Sequence, residues 1–362
     1  MAAPTRSIRI PETRVWRGAA SAVVQSRSAT MMTLMAAQAF AQDAVAASSD
    51  SERIMAEHAR TFRFATRFLP SDFRDPTIRL YAFFRTLDDL VDESPEDEAT
   101  RQMISEELDQ WRTWMLSGSG GEAPRFELGE HLAHLIERFD IPTSLFVDFL
   151  DGLRADMAPQ LPETRADVER YSYQVASTVG VSMTYIFGAT SHQAIEAATR
   201  LGIAMQLTNI LRDIGGDIDR SRIYLPKDLL ALNGLEPDDI ADMRRDGRGP
   251  DHRLRAVVQT MVDWADQHYI AGINGIGLLP RDVRLPILIA ARLYQQILRQ
   301  LEHLDYDSLR RRAATGRWQK VQEAYRCALL VPQLDSNGRD RRSAADERTS
   351  GQISNEQDRN AR

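Results

Sequence analysis

From Ser51 to about residue 330, apolar positions recur at steps of three and four, the period of an amphipathic helix. The pattern predicts helices over 51–68, 76–93, 98–116, 127–138, 143–156, 164–188, 191–214, 226–232, 251–273, 282–303 and 317–330. Pro70, Pro76, Pro95, Pro142, Pro162, Pro226, Pro250 and Pro280 punctuate these segments, as residues that interrupt a helix should. Gly118-Ser-Gly-Gly121 reads as a turn, and 236–252, rich in Asp, Arg and Gly, as a solvent-exposed connection. The alternation of a strand is almost missing. The chain is therefore expected to be all-α, a single-domain bundle of antiparallel helices over 51–332. Residues 1–50, rich in Ala, Ser and Thr with scattered Arg, read as a disordered extension in preference to a transit peptide. Later methionines, Met31, Met32 and Met35, leave an over-extended start as an alternative. Residues 333–362 are almost all Asp, Arg, Ser, Asn and Gln, the composition of a disordered tail.

Two of the predicted helices carry acids where apolar residues would be expected. Asp88 and Asp92 lie in Leu80-Tyr-Ala-Phe-Phe-Arg-Thr-Leu-Asp-Asp-Leu-Val-Asp92. Asp213 and Asp217 lie in Gln206-Leu-Thr-Asn-Ile-Leu-Arg-Asp-Ile-Gly-Gly-Asp217. A four-residue step stacks two side chains on one helix face. Gln206, Asn209, Asp213 and Asp217 fall on one such face, with Leu207, Ile210, Leu211 and Ile214 opposite. A lone acidic pair is ordinarily a solvated face. Two pairs, each with an arginine beside it (Arg85, Arg212), instead suggest a diphosphate site. Oxygen ligands without His or Cys favour Mg²⁺, with Mn²⁺ as an alternative.

Composition narrows the remaining classes. The net charge of −7, with no basic tract interleaved with aromatics, argues against nucleic acid as a partner. One cysteine, Cys327, rules out an internal disulfide framework and a thiolate zinc site. No apolar run reaches the ~20 residues of a membrane span. A cytoplasmic or membrane-peripheral location is expected, with organelle import through 1–50 the less favoured alternative.

Four motifs in order carry a resemblance: His58-Ala-Arg-Thr-Phe62, Arg85-Thr-Leu-Asp-Asp-Leu-Val-Asp92, Tyr171-Ser-Tyr-Gln-Val-Ala-Ser-Thr-Val-Gly180, and Gln206 through Arg222-Ile-Tyr-Leu-Pro226. Over about Ser51 to Lys320 the chain resembles the squalene/phytoene synthase family, the head-to-head prenyl transferases, and within it phytoene synthases most. The resemblance implies an isoprenoid-synthase-type bundle around a central cavity, in which Mg²⁺ bridges Asp88, Asp92, Asp213 and Asp217 to two allylic diphosphates. It implies ionisation to an allylic cation, attack by the second substrate with proton loss to a cyclopropylcarbinyl diphosphate, and rearrangement to a 1–1′ product. Arg60, Thr61, Arg85, Arg212 and Arg222 become candidates for the diphosphates, Arg212 with the reservation that it faces away. Gln206 and Asn209 become substrate-side polar groups, and Tyr294 approaches a diphosphate. Tyr171 becomes a candidate for proton removal or cation steering, against the alternative of a buried tyrosine with a satisfied hydroxyl. Phe62, Phe83, Phe84, Leu87, Val175, Gly180, Met205 and Leu207 become candidate tunnel walls.

The sequence departs from the family pattern at Gly216, where Glu is usual, at Leu161-Pro162, where Arg-Tyr is frequent, and at Ser177, where Gly is frequent. The expected reaction is condensation of two geranylgeranyl diphosphates to phytoene in carotenoid biosynthesis, without NADPH. Squalene, dehydrosqualene or presqualene diphosphate synthesis from farnesyl diphosphate is the alternative. A catalytically silent assembly factor of the same fold would not need both acidic pairs, and a class I terpene cyclase would not present them symmetrically. Peripheral membrane contact, hand-off to carotenoid desaturases, and a monomer or homodimer are all compatible with the sequence.

Overall fold

The computed structural model describes residues 64–92, 97–119, 122–158, 160–316, 318–332 and 334, and every regular element among them is helical. In chain order these are α1 (Ser71–Asp92), α2 (Glu98–Leu116), α3 (Phe126–Phe139), α4 (Thr143–Met157) and α5 (Arg165–Ser172). A π-helical turn (Tyr173–Ser177) leads into α6 (Thr178–Ile186), followed by α7 (His192–Asp219), α8 (Lys227–Leu232) and α9 (Pro237–Arg245). Then come α10 (His252–Asn274), a 3₁₀ turn (Ile276–Leu278), α11 (Arg281–His303) and a last helical segment over 318–332. The predicted extension over 1–50 lies outside the described residues, as does the predicted tail apart from residue 334. Of the helix predicted over 51–68, only 64–66 is described and helical.

α1 shows how the sequence sorts its faces. Leu80, Phe83, Phe84, Leu87 and Val91 are buried. Their rings join a cluster with Trp111 of α2 and Phe146 and Phe149 of α4, edge to face at 5.3–5.7 Å for Phe83 and 4.7 Å for Phe84 with Phe149. Such pairs contribute about 0.5–1.5 kcal/mol each beyond the area they bury. The rotation this packing fixes leaves Tyr81, Arg85, Asp88 and Asp92, one helical turn or so apart, on the other side.

α7 runs through the middle of the bundle and packs on α10, the π-helical turn, α6 and α11. Leu207, Ile210, Leu211 and Ile214 are buried along it, and the Thr208 and Tyr269 hydroxyls, 2.9 Å apart, tie it to α10. Its contact with the π-helical turn is tight. A Cβ on Gly202 would lie 2.4 Å from Ser177 Cα, and Ser177 Oγ donates to the Thr199 carbonyl at 2.7 Å. Glycine at 202 therefore makes the room that serine at 177 takes.

Three expectations need correction. The segment 236–252 is not simply a connection. Glu236 and Asp239 form a capping box, Pro237 opens α9, and Ile240 and Met243 are buried. Those two apolar anchors outweigh a composition otherwise typical of a loop. Pro76 does not mark a boundary, since α1 begins a turn earlier, at Ser71. The Arg74 guanidinium binds the carbonyls of Thr66, Arg67 and Leu69 and ties that first turn to the segment before it. The single helix predicted over 164–188 is interrupted by the π-helical turn.

Candidate active site

Both acidic pairs open into one cavity of about 900 Å³. It reaches the upper part of the ~300–1,000 Å³ range of small-molecule sites. Asp88 and Asp92 come from α1, Asp213 and Asp217 from α7, and the sequence-predicted Arg85, Gln206, Asn209, Arg212, Arg222, Tyr171 and Tyr294 all line the same space. Arg60 and Thr61 lie outside the described residues. The far part of the cavity is apolar, with Val175, Val179, Met183, Ala198, Leu201 and Met205 on its wall. Of the predicted tunnel residues, Phe84, Val175, Gly180 and Met205 line it. Phe83, Leu87 and Leu207 are instead core residues of the bundle, because each sits on the buried side of its helix. Phe62 is outside the described residues.

Each acid of the two pairs has an arginine beside it. Arg85 binds Asp88 at 2.7 Å and also Asp89. Arg222 crosses from the turn after α7 to Asp92 at 2.7 Å. Arg212 does not face away: its Nε lies 3.0 Å from both oxygens of Asp213. Arg312, on the non-helical stretch after α11, reaches Asp213 at 2.6 Å, and Arg220 stands 3.8 Å from Asp217. Burial pushes the Asp88 carboxyl up to about 7, against the pull of Arg85. Burial, with Asp213 adding its charge, pushes Asp217 to about 7 as well. For Asp213 burial acts the same way, but the guanidiniums of Arg212 and Arg312 outweigh it and hold the carboxyl below its ordinary range. The site thus carries carboxylates whose charge is only partly compensated.

That state fits a divalent cation. The Asn209 Nδ2 donates to Gln206 Oε1 at 3.2 Å, which leaves Asn209 Oδ1 buried without a hydrogen-bond partner among the described residues. An unpartnered buried oxygen one turn from Asp213 is free to accept from, or coordinate to, a group entering the cavity. Among the described residues, no group of three or more His, Cys, Asp or Glu side chains could hold a metal ion unaided. Mg²⁺ sites of that kind are completed by substrate phosphate oxygens and water.

Residues 55–319 match the squalene/phytoene synthase family. The chain belongs to that family. It is 36% identical over 282 residues to the phytoene synthase of Thermus thermophilus, covering 77% of this chain and 89% of the relative. It is 33% identical over 265 residues to that of Rhodobacter capsulatus, covering 72% and 75%. A dehydrosqualene synthase crystallised with a ligand superposes with a TM-score of 0.68 at 25% identity, over 83% of this chain and 99% of that one. The squalene synthase of Alicyclobacillus acidocaldarius does so with 0.61 at 25% identity, over 71% and 93%.

The departures from the family pattern have visible settings. A Cβ at Gly216 would have only Arg220 Nη1 near it, at 3.9 Å, so nothing there requires glycine. Gly215 differs: a Cβ would sit 2.3 Å from the Leu309 carbonyl oxygen, and its N–H donates to the Ser308 carbonyl at 3.1 Å. This close approach brings the stretch that carries Arg312 against α7. In place of Arg-Tyr, the 161–163 stretch offers backbone: the Pro162 and Glu163 carbonyls accept the N–H groups of Lys227 and Asp228 at the start of α8. Ser177 is accommodated by Gly202, as described above.

Several cavity residues escaped the sequence reading. Tyr224 lies two positions from Arg222, inside a motif already singled out. Asp156 occupies the last turn of α4 and stands out in sequence only as an acid on a helix with a buried apolar side. Arg312 is placed by a non-helical segment that has no periodicity to read. Tyr81, Arg220 and Lys320 complete the polar wall.

Proposed function

We propose that this prenyl transferase joins two geranylgeranyl diphosphates head to head, through a cyclopropyl (prephytoene) diphosphate, to phytoene, as a step of carotenoid biosynthesis. The observation that carries the reading is a single cavity with two acidic pairs and their arginines at one end and apolar walls at the other. Relatives at 31–36% identity, among them the 15-cis-phytoene synthase of Synechococcus elongatus, favour the C20 substrate over the C15 one.

Asp88, Asp92, Asp213 and Asp217, with Asn209 Oδ1, would hold Mg²⁺. Mg²⁺, when bound, neutralises the leaving diphosphate and lowers the barrier to ionisation. Arg85, Arg212, Arg222 and Arg312 supply planar guanidiniums that match phosphate oxygens, and Arg60 and Thr61 join them by the motif they occupy. Gln206 and Tyr294 orient the diphosphate end. Tyr171 serves proton removal. The apolar wall keeps water from the cation, which would otherwise be quenched to an alcohol. NADPH has no part in this reaction, which ends in proton loss. Residues 51–332 form the catalytic domain, and 1–50 and 333–362 are accessory to it. No helix among the described residues is long and apolar enough to cross a membrane.

Product analysis by mass spectrometry tests the reading. Purified protein with Mg²⁺ receives geranylgeranyl or farnesyl diphosphate, with and without NADPH. A C40 hydrocarbon formed without NADPH is expected. A C30 product would move the chain to the squalene branch, and no product from a folded, metal-replete sample would leave a silent protein of the same fold.

A further inference from the structure

Five aspartates line the cavity among the described residues, and Asp156 differs from the other four. Asp88, Asp92, Asp213 and Asp217 each have a guanidinium within salt-bridge distance. Asp156, 8% exposed on α4, instead takes two phenols: Tyr171 donates to Oδ2 at 3.0 Å and Tyr224 donates to Oδ1 at 2.7 Å. The two rings stack, 5.0 Å apart and 16° from parallel, so one carboxylate holds both hydroxyls on the same side of the cavity.

We infer that Asp156 is the terminal acceptor of a proton relay that runs from the substrate cation through the Tyr171 hydroxyl, with Tyr224 fixing the carboxylate. The inference rests on the phytoene synthase reading and assigns its proton-removing machinery. A neutral phenol oxygen is a poor final resting place for a proton. It becomes competent when its own proton leaves at the same time, and the Asp156 carboxylate is the acceptor already bonded to it. The step balances: the C–H bond beside the cationic carbon breaks, its electron pair forms the new C–C bond or double bond, and its proton goes to Tyr171 Oη. The former hydroxyl proton of Tyr171 passes to Asp156 Oδ2. The neutral carboxyl later gives that proton to water, and no oxidant or reductant is involved.

The surroundings suit the role. The charged groups that face Asp156 are Arg222 on the turn after α7 and Asp92 and Asp88 on α1, besides the two tyrosines. Burial pushes its carboxyl up to about 6, against the lowering effect of the two hydroxyl bonds and of Arg222. A carboxylate in that range is ionised at neutral pH yet more basic than an exposed one, as a general base should be. Burial and the Asp156 charge both push the Tyr171 hydroxyl well above its usual range, so it passes a proton on and does not rest as a phenolate.

The test compares wild type with Asp156→Asn, Tyr171→Phe, the double variant and Tyr224→Phe. Each is assayed with geranylgeranyl diphosphate at saturating Mg²⁺ over a pH series, with thermal unfolding as a check on folding. Asn keeps the shape and can still accept a tyrosine proton bond, but it cannot take up a proton. Asp156→Asn is expected to lower kcat on the order of 10²-fold or more with little change in KM, and to change the acid limb of the kcat–pH profile. The double variant is expected to be no slower than the slower single variant, because the residues act as one unit. Tyr224→Phe removes one hydrogen bond that favours the charged carboxylate, and so should move the acid limb to higher pH. That readout stands even if Asp156→Asn does not fold. Wild-type protein that forms neither C40 nor C30 hydrocarbon refutes the functional reading. Active wild type with Asp156→Asn within about threefold of it, additive losses in the double variant, or an unmoved limb in Tyr224→Phe refutes the relay alone.

Discussion

The adjacent glycines of Asp213-Ile-Gly-Gly-Asp217 should respond to the same substitution in opposite ways. At Gly216, exposed and with only the tip of Arg220 near a new Cβ, alanine meets no obstacle. Glycine inside a helix costs about 1 kcal/mol relative to alanine, so Gly216→Ala should stabilise by roughly that amount. For a domain of this size this corresponds to a rise in Tm of about 2 °C. At Gly215 the same methyl would lie 2.3 Å from the Leu309 carbonyl oxygen, a backbone atom that cannot rotate away. Forcing an extra carbon into packed structure costs about 1–3 kcal/mol, which offsets or exceeds the helical gain. Gly215→Ala should therefore unfold at least about 2 °C below Gly216→Ala. The displaced stretch is also the one that holds Arg312 against Asp213, so Gly215→Ala should lose turnover while Gly216→Ala keeps it. Gly216→Glu restores the usual family residue and places an acid four residues before Arg220, a favourable helical spacing, so it too should be tolerated. Differential scanning calorimetry and steady-state product formation measure both effects. Equal melting temperatures and equal turnover for Gly215→Ala and Gly216→Ala would refute the reasoning from close approach.

Asp88→Ala and Asp213→Ala should each lower turnover on the order of 10²-fold or more while circular dichroism reports unchanged helicity, since a proposed cation ligand is lost and the core is not; near-normal activity in either would undo the site assignment. The metal-free protein should lose stability as pH rises. Asp88 and Asp217 have folded-state values near 7, above the ordinary carboxylate value of 3.8, so the folded state binds more protons between those limits and its advantage disappears as pH passes 7. Mg²⁺ should therefore raise Tm more at about pH 8 than at about pH 5, where it competes with protons; a pH-independent response would contradict the raised values. Removal of residues 1–50 and 333–362 should leave turnover largely unchanged, and a folded but inactive truncate would show that one end contributes to the reaction.

What the sequence disclosed, and what it withheld, follows from what periodicity can report. Spacing tells which face of a helix a side chain occupies, and that was enough to place Asp88 with Asp92 and Asn209 with Asp213 on the cavity side of α1 and α7. It does not tell how wide the buried face is. Phe83, Leu87 and Leu207 lie next to cavity residues in sequence but turn into the core, where the aromatic cluster between α1, α2 and α4 takes the first of them. Spacing is also blind to a change of helical period. The π-helical turn at Tyr173–Ser177 shifts the face of everything after it, and the small, mixed side chains of 173–187, with Gln174, Ser177, Thr178, Ser182 and Thr184 among apolar neighbours, gave no hint of it. Partners across space are the hardest to foresee. Asp156 and Tyr224 are 68 positions apart, yet they meet at 2.7 Å because α4 and the turn after α7 flank the same cavity. The four paired aspartates announced themselves by repeating a spacing. Asp156 repeats nothing, and its significance is visible only in what surrounds it: two phenols where every other acid on the wall has a guanidinium.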